Sequence, residues 1–298
     1  MKLKKLVAIE PVSFLPWGKE EVKKYCEEAV FYETAPKDAE EIKQRIGDAD
    51  AIFVSYKNII GEDILKACKN LKYIGMCCSL YSEASANVDI RYAKEHGIAV
   101  SGIKDYGDEG VAEYVVGEII QMLHGTGGHE PFLGEESEIS GAKVGILGMG
   151  ATGQIVANAL SFFGADISYY SRTRKPEAEE KGYTYRDLHD LLRECDIVCS
   201  CLSKNVTLLH EEELDILSSD KIVFNTALSP CFDMEAMKKW LLKKNTWYFC
   251  DTSMAAGDEE LLKYKNVCCI NKSSGMTRQA VERLNEKVLE NLKAYAEV

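Results

Sequence analysis

No uninterrupted apolar run in these 298 residues approaches the roughly 20 that a membrane helix needs, so no transmembrane span is expected. Positive charge is in deficit. With a formal charge of −12 the chain lacks the basic footprint of a general nucleic-acid surface, and any anion site must be local. Cysteine is plentiful, eleven in all, yet no Cys-x-x-Cys pair and no histidine partner at zinc spacing appears. Cys195, Cys199, Cys201, Cys250, Cys268 and Cys269 sit inside apolar, strand-like runs. The expectation is therefore reduced, mostly buried thiols in a cytoplasmic protein, with no metal site. The opening Met1 to Glu10 is basic and then apolar, but Glu10 ends the run early and no signal-type cleavage site follows. It reads as a first strand.

What is present is organised around Val144-Gly145-Ile146-Leu147-Gly148-Met149-Gly150-Ala151-Thr152-Gly153. The apolar run reads as a buried parallel strand, the glycines as a tight turn, and Gln154 to Phe163 as a helix. The spacing has a chemical reason. Gly148 allows the turn, Gly150 lets a pyrophosphate approach the backbone, and Gly153 lets helix and strand pack closely, while the helix start offers free N–H groups and a positive dipole end. An ordinary strand-to-helix turn is the bland alternative, and the flanking pattern disfavours it.

The length suits two domains, each with its own core. Before the glycine motif, short apolar runs at Leu6–Glu10, Val30–Glu33, Ala51–Ser55, Tyr73–Cys77 and Ala99–Ser101 alternate with amphipathic segments near Glu20–Glu28, Lys37–Ile46, Glu62–Ala67 and Ile90–His96. This predicts a parallel α/β lobe. Ligands in such sheets sit beyond the carboxyl ends of the strands, which singles out Ser55-Tyr56-Lys57-Asn58 and Cys77-Cys78-Ser79-Leu80-Tyr81. A long, largely apolar helix is predicted over Asp108–His124, as an element between the lobes, and Gly125–Ser140 as a surface connection. After the motif, strands at Asp166–Tyr170, Ile197–Leu202, Ile222–Asn225, Trp247–Asp251 and Val267–Ile270 complete a second doubly wound sheet. A final amphipathic helix spans Met276–Val298 with Thr277 as a plausible cap.

About 20 positions past the glycines, where an acid would accept a ribose 2′-hydroxyl, the chain instead reads Ser171-Arg172-Thr173-Arg174-Lys175. Three cations and two hydroxyls in an acidic protein favour a 2′-phosphate, hence NADP over NAD.

Taken together the chain resembles the D-isomer-specific 2-hydroxyacid dehydrogenase family. The residues that carry the likeness are Asn87-Val88-Asp89 with Gly97-Ile98-Ala99-Val100, Gly110-Val111-Ala112-Glu113, the run Gly141 to Gly150, and Val223-Phe224-Asn225-Thr226-Ala227. The resemblance implies two doubly wound parallel-sheet domains: a flavodoxin-like substrate domain over 1–106, completed by 277–298, and a Rossmann nucleotide domain inserted over 107–276. It also implies cofactor contacts from Gly148, Gly150, Ala151, Thr152, Gly153 and Asn225, and a role for Asp251 in holding the nicotinamide carboxamide. An active site in the cleft and a homodimer through the nucleotide lobes follow from the same likeness.

Three family positions are changed. The family's Asn-Thr-Ala run continues with a carboxylate-binding arginine, and Leu228 stands there; Ala256 replaces the catalytic glutamate, and Lys272 the acid/base histidine. The carboxylate-cradling loop is rewritten as Met76 to Ala86, longer and richer in hydroxyls. The leading expectation is an NADPH-dependent reductase acting on the carbonyl of a small-molecule substrate, with Lys272 as proton donor and with Lys57 or the hydroxyls of Ser79 and Tyr81 holding its anionic end. Lys272 as an exposed turn residue is an equal alternative. Two rival functions are a catalytically silent NADP-binding sensor or partner-binding protein and an enzyme that reduces imines. His210 reads as the approach to a surface helix, and His124 and His129 as flanks of a connection, without catalytic roles.

Overall fold

The computed structural model describes residues 2–297, which divide into two compact units: 2–106 with 277–297, and 107–276. The first unit alternates β1 (Leu3–Ala8), α1 (Pro16–Val22), β2 (Cys26–Phe31), α2 (Ala39–Ile46), β3 (Ala51–Val54), α3 (Glu62–Ala67), β4 (Tyr73–Ser79), α4 (Ile90–Glu95) and β5 (Ala99–Ile103). Its strands are all parallel in the order β2-β1-β3-β4-β5, the flavodoxin-like order. The central strand β3 is buried along its whole length, as a strand covered on both faces must be.

The second unit begins with α5 (Asp108–His124) and continues through β6 (Lys143–Leu147), α6 (Ala151–Phe162), β7 (Asp166–Tyr170), α7 (Pro176–Glu179), β8 (Thr184–Tyr185), α8 (Leu188–Glu194), β9 (Ile197–Ser200), α9 (Glu211–Leu217), β10 (Lys221–Asn225), α10 (Met234–Trp240), β11 (Thr246–Cys250), α11 (Ser253–Ala256) and β12 (Val267–Cys269). Its seven strands run in the order β12-β11-β10-β9-β6-β7-β8. Counted from β6 this is 3-2-1-4-5-6 with one further strand, and the order reverses between β6 and β9, the crevice where such sheets bind dinucleotides.

Helix α5 is a core helix of this second unit. Val115, Ile119, Met122 and Leu123 pack with Val144, Ile146, Val156 and Leu160 in one cluster. At about 1.5–3 kcal/mol for each large aliphatic side chain removed from water, this seam between α5, β6 and α6 anchors the glycine turn. The connection over 125–140 departs from the surface loop expected: Phe132 and Ile139 are buried in the same cluster, and Asn245 Nδ2 donates to the Phe132 carbonyl at 2.9 Å. The chain ends in α12 (Arg278–Ala296), part of the first unit, capped by Thr277, whose Oγ1 accepts the Ala280 N–H at 3.1 Å.

Two elements lie where the sequence pattern did not put them. The helix expected near Glu20–Glu28 ends at Val22, and the strand expected at Val30–Glu33 begins at Cys26.

Candidate active site

The carboxyl edge of the second sheet collects the coenzyme-type features. Gly148 adopts φ +93°, the left-handed region that a side chain resists, and a Cβ there would meet the Cys201 carbonyl at 2.9 Å. A Cβ on Gly153 would collide with the Gly148 carbonyl oxygen, so strand and helix meet only through glycine. Gly150 is different: nothing lies within 4 Å of the position its Cβ would take, and its Cα faces open space at the start of α6. A helix start with bare backbone in front of it is the geometry that admits a phosphate. Ala151 and Thr152 form the first turn of α6, and the Thr152 hydroxyl donates to Asp108 Oδ1.

At the end of β7 the cationic stretch is exposed, but its members are not equivalent. Arg174 is clamped by Glu179 through Nε at 2.9 Å and through a second nitrogen at 2.6 Å, and its guanidinium lies 5.2 Å from the Tyr185 ring centre. The pairing raises the Arg174 pKa, and the guanidinium in turn lowers that of Glu179. Ser171 Oγ donates to the Thr173 carbonyl at 2.6 Å, folding the turn on itself. Arg172 is exposed and makes no hydrogen bond or ion pair among the described residues.

Asn225 is fully buried, and its amide is spent inside the protein. It donates to the Ser229 carbonyl at 3.0 Å and the Ala255 carbonyl at 3.3 Å, and its Oδ1 accepts the Ala227 N–H at 3.1 Å. It fixes the loop that carries Leu228. Ala256 is likewise fully buried, among apolar side chains.

Asp251 follows β11 and is 2 % exposed. Its Oδ2 accepts both the Ser274 N–H at 2.9 Å and the Ser274 hydroxyl at 2.8 Å. Oδ1 is buried and meets no donor in hydrogen-bonding geometry, although the Thr252 side chain is close enough to favour the ionised form. Burial raises the carboxyl pKa above its ordinary value, and the Ser274 bonds oppose that rise. Lys272 lies in the loop after β12, where its N–H donates to the Asp251 carbonyl at 2.7 Å. Its side chain is exposed, with no hydrogen bond or ion pair among the described residues.

Lys57 and Tyr81 belong to the first unit, past the carboxyl ends of β3 and β4. The loop that carries Lys57 is rigidly held. Glu10, a fully buried carboxylate, accepts the Ser55 N–H at 2.9 Å and Asn58 Nδ2 at 2.5 Å, while Asn87 Nδ2 donates to the carbonyls of Ser55 at 2.7 Å and Asn58 at 2.5 Å. Tyr81 is half-exposed and its hydroxyl reaches Asp105 at 3.4 Å. Tyr106 is a residue that the sequence pattern did not single out. Burial pushes its phenol up to about 12, with Cys78 and the hydroxyls of Tyr56 and Tyr81 adding to the rise and the Ser79 side chain opposing it. Its signal was its position just after β5, in a carboxyl-end loop like the two already singled out.

The donor set fits a nicotinamide dinucleotide. A bare helix start faces the position of a pyrophosphate, and a buried carboxylate oxygen lacks a donor of the kind a carboxamide supplies. Fold and edge together define an NAD(P)-dependent oxidoreductase. The comparisons give the family: residues 9–297 match the model of the D-isomer specific 2-hydroxyacid dehydrogenase catalytic domain, and the chain belongs to that family. It is 30% identical to a glyoxylate reductase of Thermococcus kodakarensis over 93% of this chain and 89% of that protein. It is 24% identical to a hydroxypyruvate reductase of Blautia hydrogenotrophica over 89% and 88% of the two chains. Among solved structures, an acyclic imino acid reductase in complex with NADPH and D-Arg superposes with TM-score 0.83 at 22% identity, covering 98% of this chain and 97% of that one. A D-lactate dehydrogenase from Aquifex aeolicus complexed with NAD and lactic acid gives TM-score 0.82 at 20% identity, covering 99% and 96%. These two share the fold.

Proposed function

We propose that this protein is an NADP(H)-dependent reductase of a small carbonyl substrate, working with a set of side chains different from the family's arginine, glutamate and histidine. The observation that carries the reading is Asp251, a buried carboxylate at the carboxyl edge of the second sheet with one oxygen left without a donor. In this reading the unit 107–276 holds the nucleotide and the other unit the substrate. Gly148, Gly150, Ala151, Thr152 and Gly153 shape the pyrophosphate cradle, and Asp251 orients the carboxamide. Asn225 acts one step removed, by holding the loop over 225–229.

NADP rather than NAD is the coenzyme because Arg172, with Ser171 and Thr173 beside it, offers an uncommitted cation to a 2′-phosphate, whereas Arg174 is already bound to Glu179. When bound, the coenzyme supplies hydride. Lys272 supplies the proton: an ammonium stabilises the developing alkoxide and then gives up its proton to that oxygen. Lys57 and Tyr81 hold the anionic end of the substrate in place of the missing arginine. The imino acid reductase among the structural neighbours supports widening the substrate panel to imines, as the sequence reading also did.

Two further expectations belong to this reading. The protein is a homodimer in which the exposed, edge-to-face ring pair Phe162 and Phe163 at the end of α6 is covered. It works in the cytoplasm, where eleven free cysteines, eight of them buried, remain reduced. Among the described residues, no helix is long and apolar enough to cross a membrane.

The test is NADPH consumption over a panel of 2-oxoacids, other carbonyl compounds and imines. Turnover on at least one member supports the reductase. Tight NADPH binding without turnover on any of them favours the rival reading, a silent NADP-binding sensor, for which the burial of Ala256 at the family's glutamate position is the supporting observation.

A further inference from the structure

Asp108 opens α5 and is 9 % exposed, an ionisable group carried almost out of water. An acid in the first turn suits the positive end of its own helix. Its oxygen, however, accepts the hydroxyl of Thr152, which sits in the first turn of a different helix, α6. One carboxylate thus stands against the positive ends of two helices. Its charge is also felt at Cys201, whose thiol is pushed up to about 12 by burial first and by Asp108 second, and the Cys201 carbonyl packs against Gly148. These contacts place the carboxylate beside the glycine turn.

That is the wrong sign for a phosphate cradle. The first turn of α6 and the bare Cα of Gly150 form a site whose attraction for anions comes from unpaired N–H groups and the helix dipole. Asp108 already neutralises part of that field and already uses the one hydroxyl in the turn. A pyrophosphate arriving at the start of α6 would approach a turn whose Thr152 hydroxyl already bonds this largely buried carboxylate, and like charges repel.

We propose that Asp108 sets the coenzyme affinity of this protein: held against the first turn of α6 through the Thr152 hydroxyl, its charge weakens pyrophosphate binding there. The inference rests on the coenzyme reading given above. Affinity is thereby held down in a cradle whose glycines are all present, which favours exchange of oxidised for reduced coenzyme.

The experiment is fluorescence titration of the full chain with NADPH and with NADH, parent against Asp108→Asn, at low and high salt. Asn keeps the shape and an acceptor for Thr152 while removing the charge; Asp108→Ser is the second variant, and circular dichroism confirms that each is folded. The expected result is about tenfold tighter binding of both coenzymes in the variants, the size of one partly screened like-charge contact, with the gain shrinking as salt rises. A structural cap alone would give unchanged or weaker binding on losing its charge. Unchanged or weaker binding in folded variants, with the parent binding normally, overturns the inference and leaves the coenzyme reading standing. Failure of the parent to bind either coenzyme overturns the coenzyme reading, and this inference with it.

Discussion

Ser274 closes on Asp251 twice, its amide at 2.9 Å and its hydroxyl at 2.8 Å from the same oxygen, so one carboxylate oxygen is saturated while the other meets no donor in bonding geometry. The asymmetry ties the loop after β12 to the end of β11. Removing the hydroxyl in Ser274→Ala leaves a buried carboxylate with a single bond, and a bond to a charged group is worth about 1.5–3 kcal/mol. Chemical denaturation of the variant is expected to show a loss of that order.

The pH dependence of Asp251 follows from the direction of its shift. Burial raises its folded pKa above the ordinary carboxylate value, so the folded state binds the proton more tightly than the unfolded chain does. The favourable contribution is full below the unfolded value and is lost as pH rises through the folded one; at neutral pH the ionised group is a cost. Asp251→Asn is expected to be more stable than the parent at about pH 7, with the difference shrinking toward about pH 3.5. Denaturant midpoints at the two pH values check this. A constant difference would contradict it.

The glycines separate packing from binding. Gly153→Ala drives a Cβ into the Gly148 carbonyl and is expected to cost about 3 kcal/mol of stability. Gly150 has an extended backbone at φ −84°, and its added Cβ would meet nothing, so Gly150→Ala is expected to stay within about 0.5 kcal/mol of the parent. It nevertheless fills the space in front of the helix, and coenzyme affinity is expected to fall about tenfold or more. Paired denaturation and titration curves distinguish the two glycines.

In the proposed reading, coenzyme choice lies with Arg172. Arg172→Ala is expected to weaken NADPH about tenfold or more and leave NADH nearly unchanged, because only the phosphorylated coenzyme loses a charge-assisted partner. Arg174→Ala should have the smaller effect on that ratio, since its guanidinium is committed to Glu179. Equal losses for both coenzymes in Arg172→Ala would contradict the assignment.

Lys272→Ala is expected to lower kcat about a hundredfold or more on the best substrate of the panel while coenzyme affinity holds, the pattern of a lost general acid. An unchanged kcat would return Lys272 to the role of an exposed turn residue.

How far the chain could be read before folding depended on the range of the interactions. The glycine turn and the Thr277 cap are written within a few residues and were legible, whereas Asp251 was singled out only by the family resemblance. The segment after Phe14 was not: Pro16 sets the start of α1, and β2 is an edge strand whose exposed Glu27 and Glu28 hide its alternation. The connection over 125–140 has a polar composition, yet Phe132 and Ile139 fill the core. At the site, Glu10 with Asn58 and Asp108 with Thr152 join residues 48 and 44 positions apart, and no local pattern announces such pairs. Arg172 and Arg174 look alike in sequence; only the fold, by setting Glu179 against one of them, makes them differ.

The central claim is that the nucleotide cradle at the start of α6 binds NADPH. Isothermal titration of the intact chain with NADPH and NADH tests it most directly. One NADPH bound per chain, more tightly than NADH, is the predicted result; no uptake of either would contradict the account.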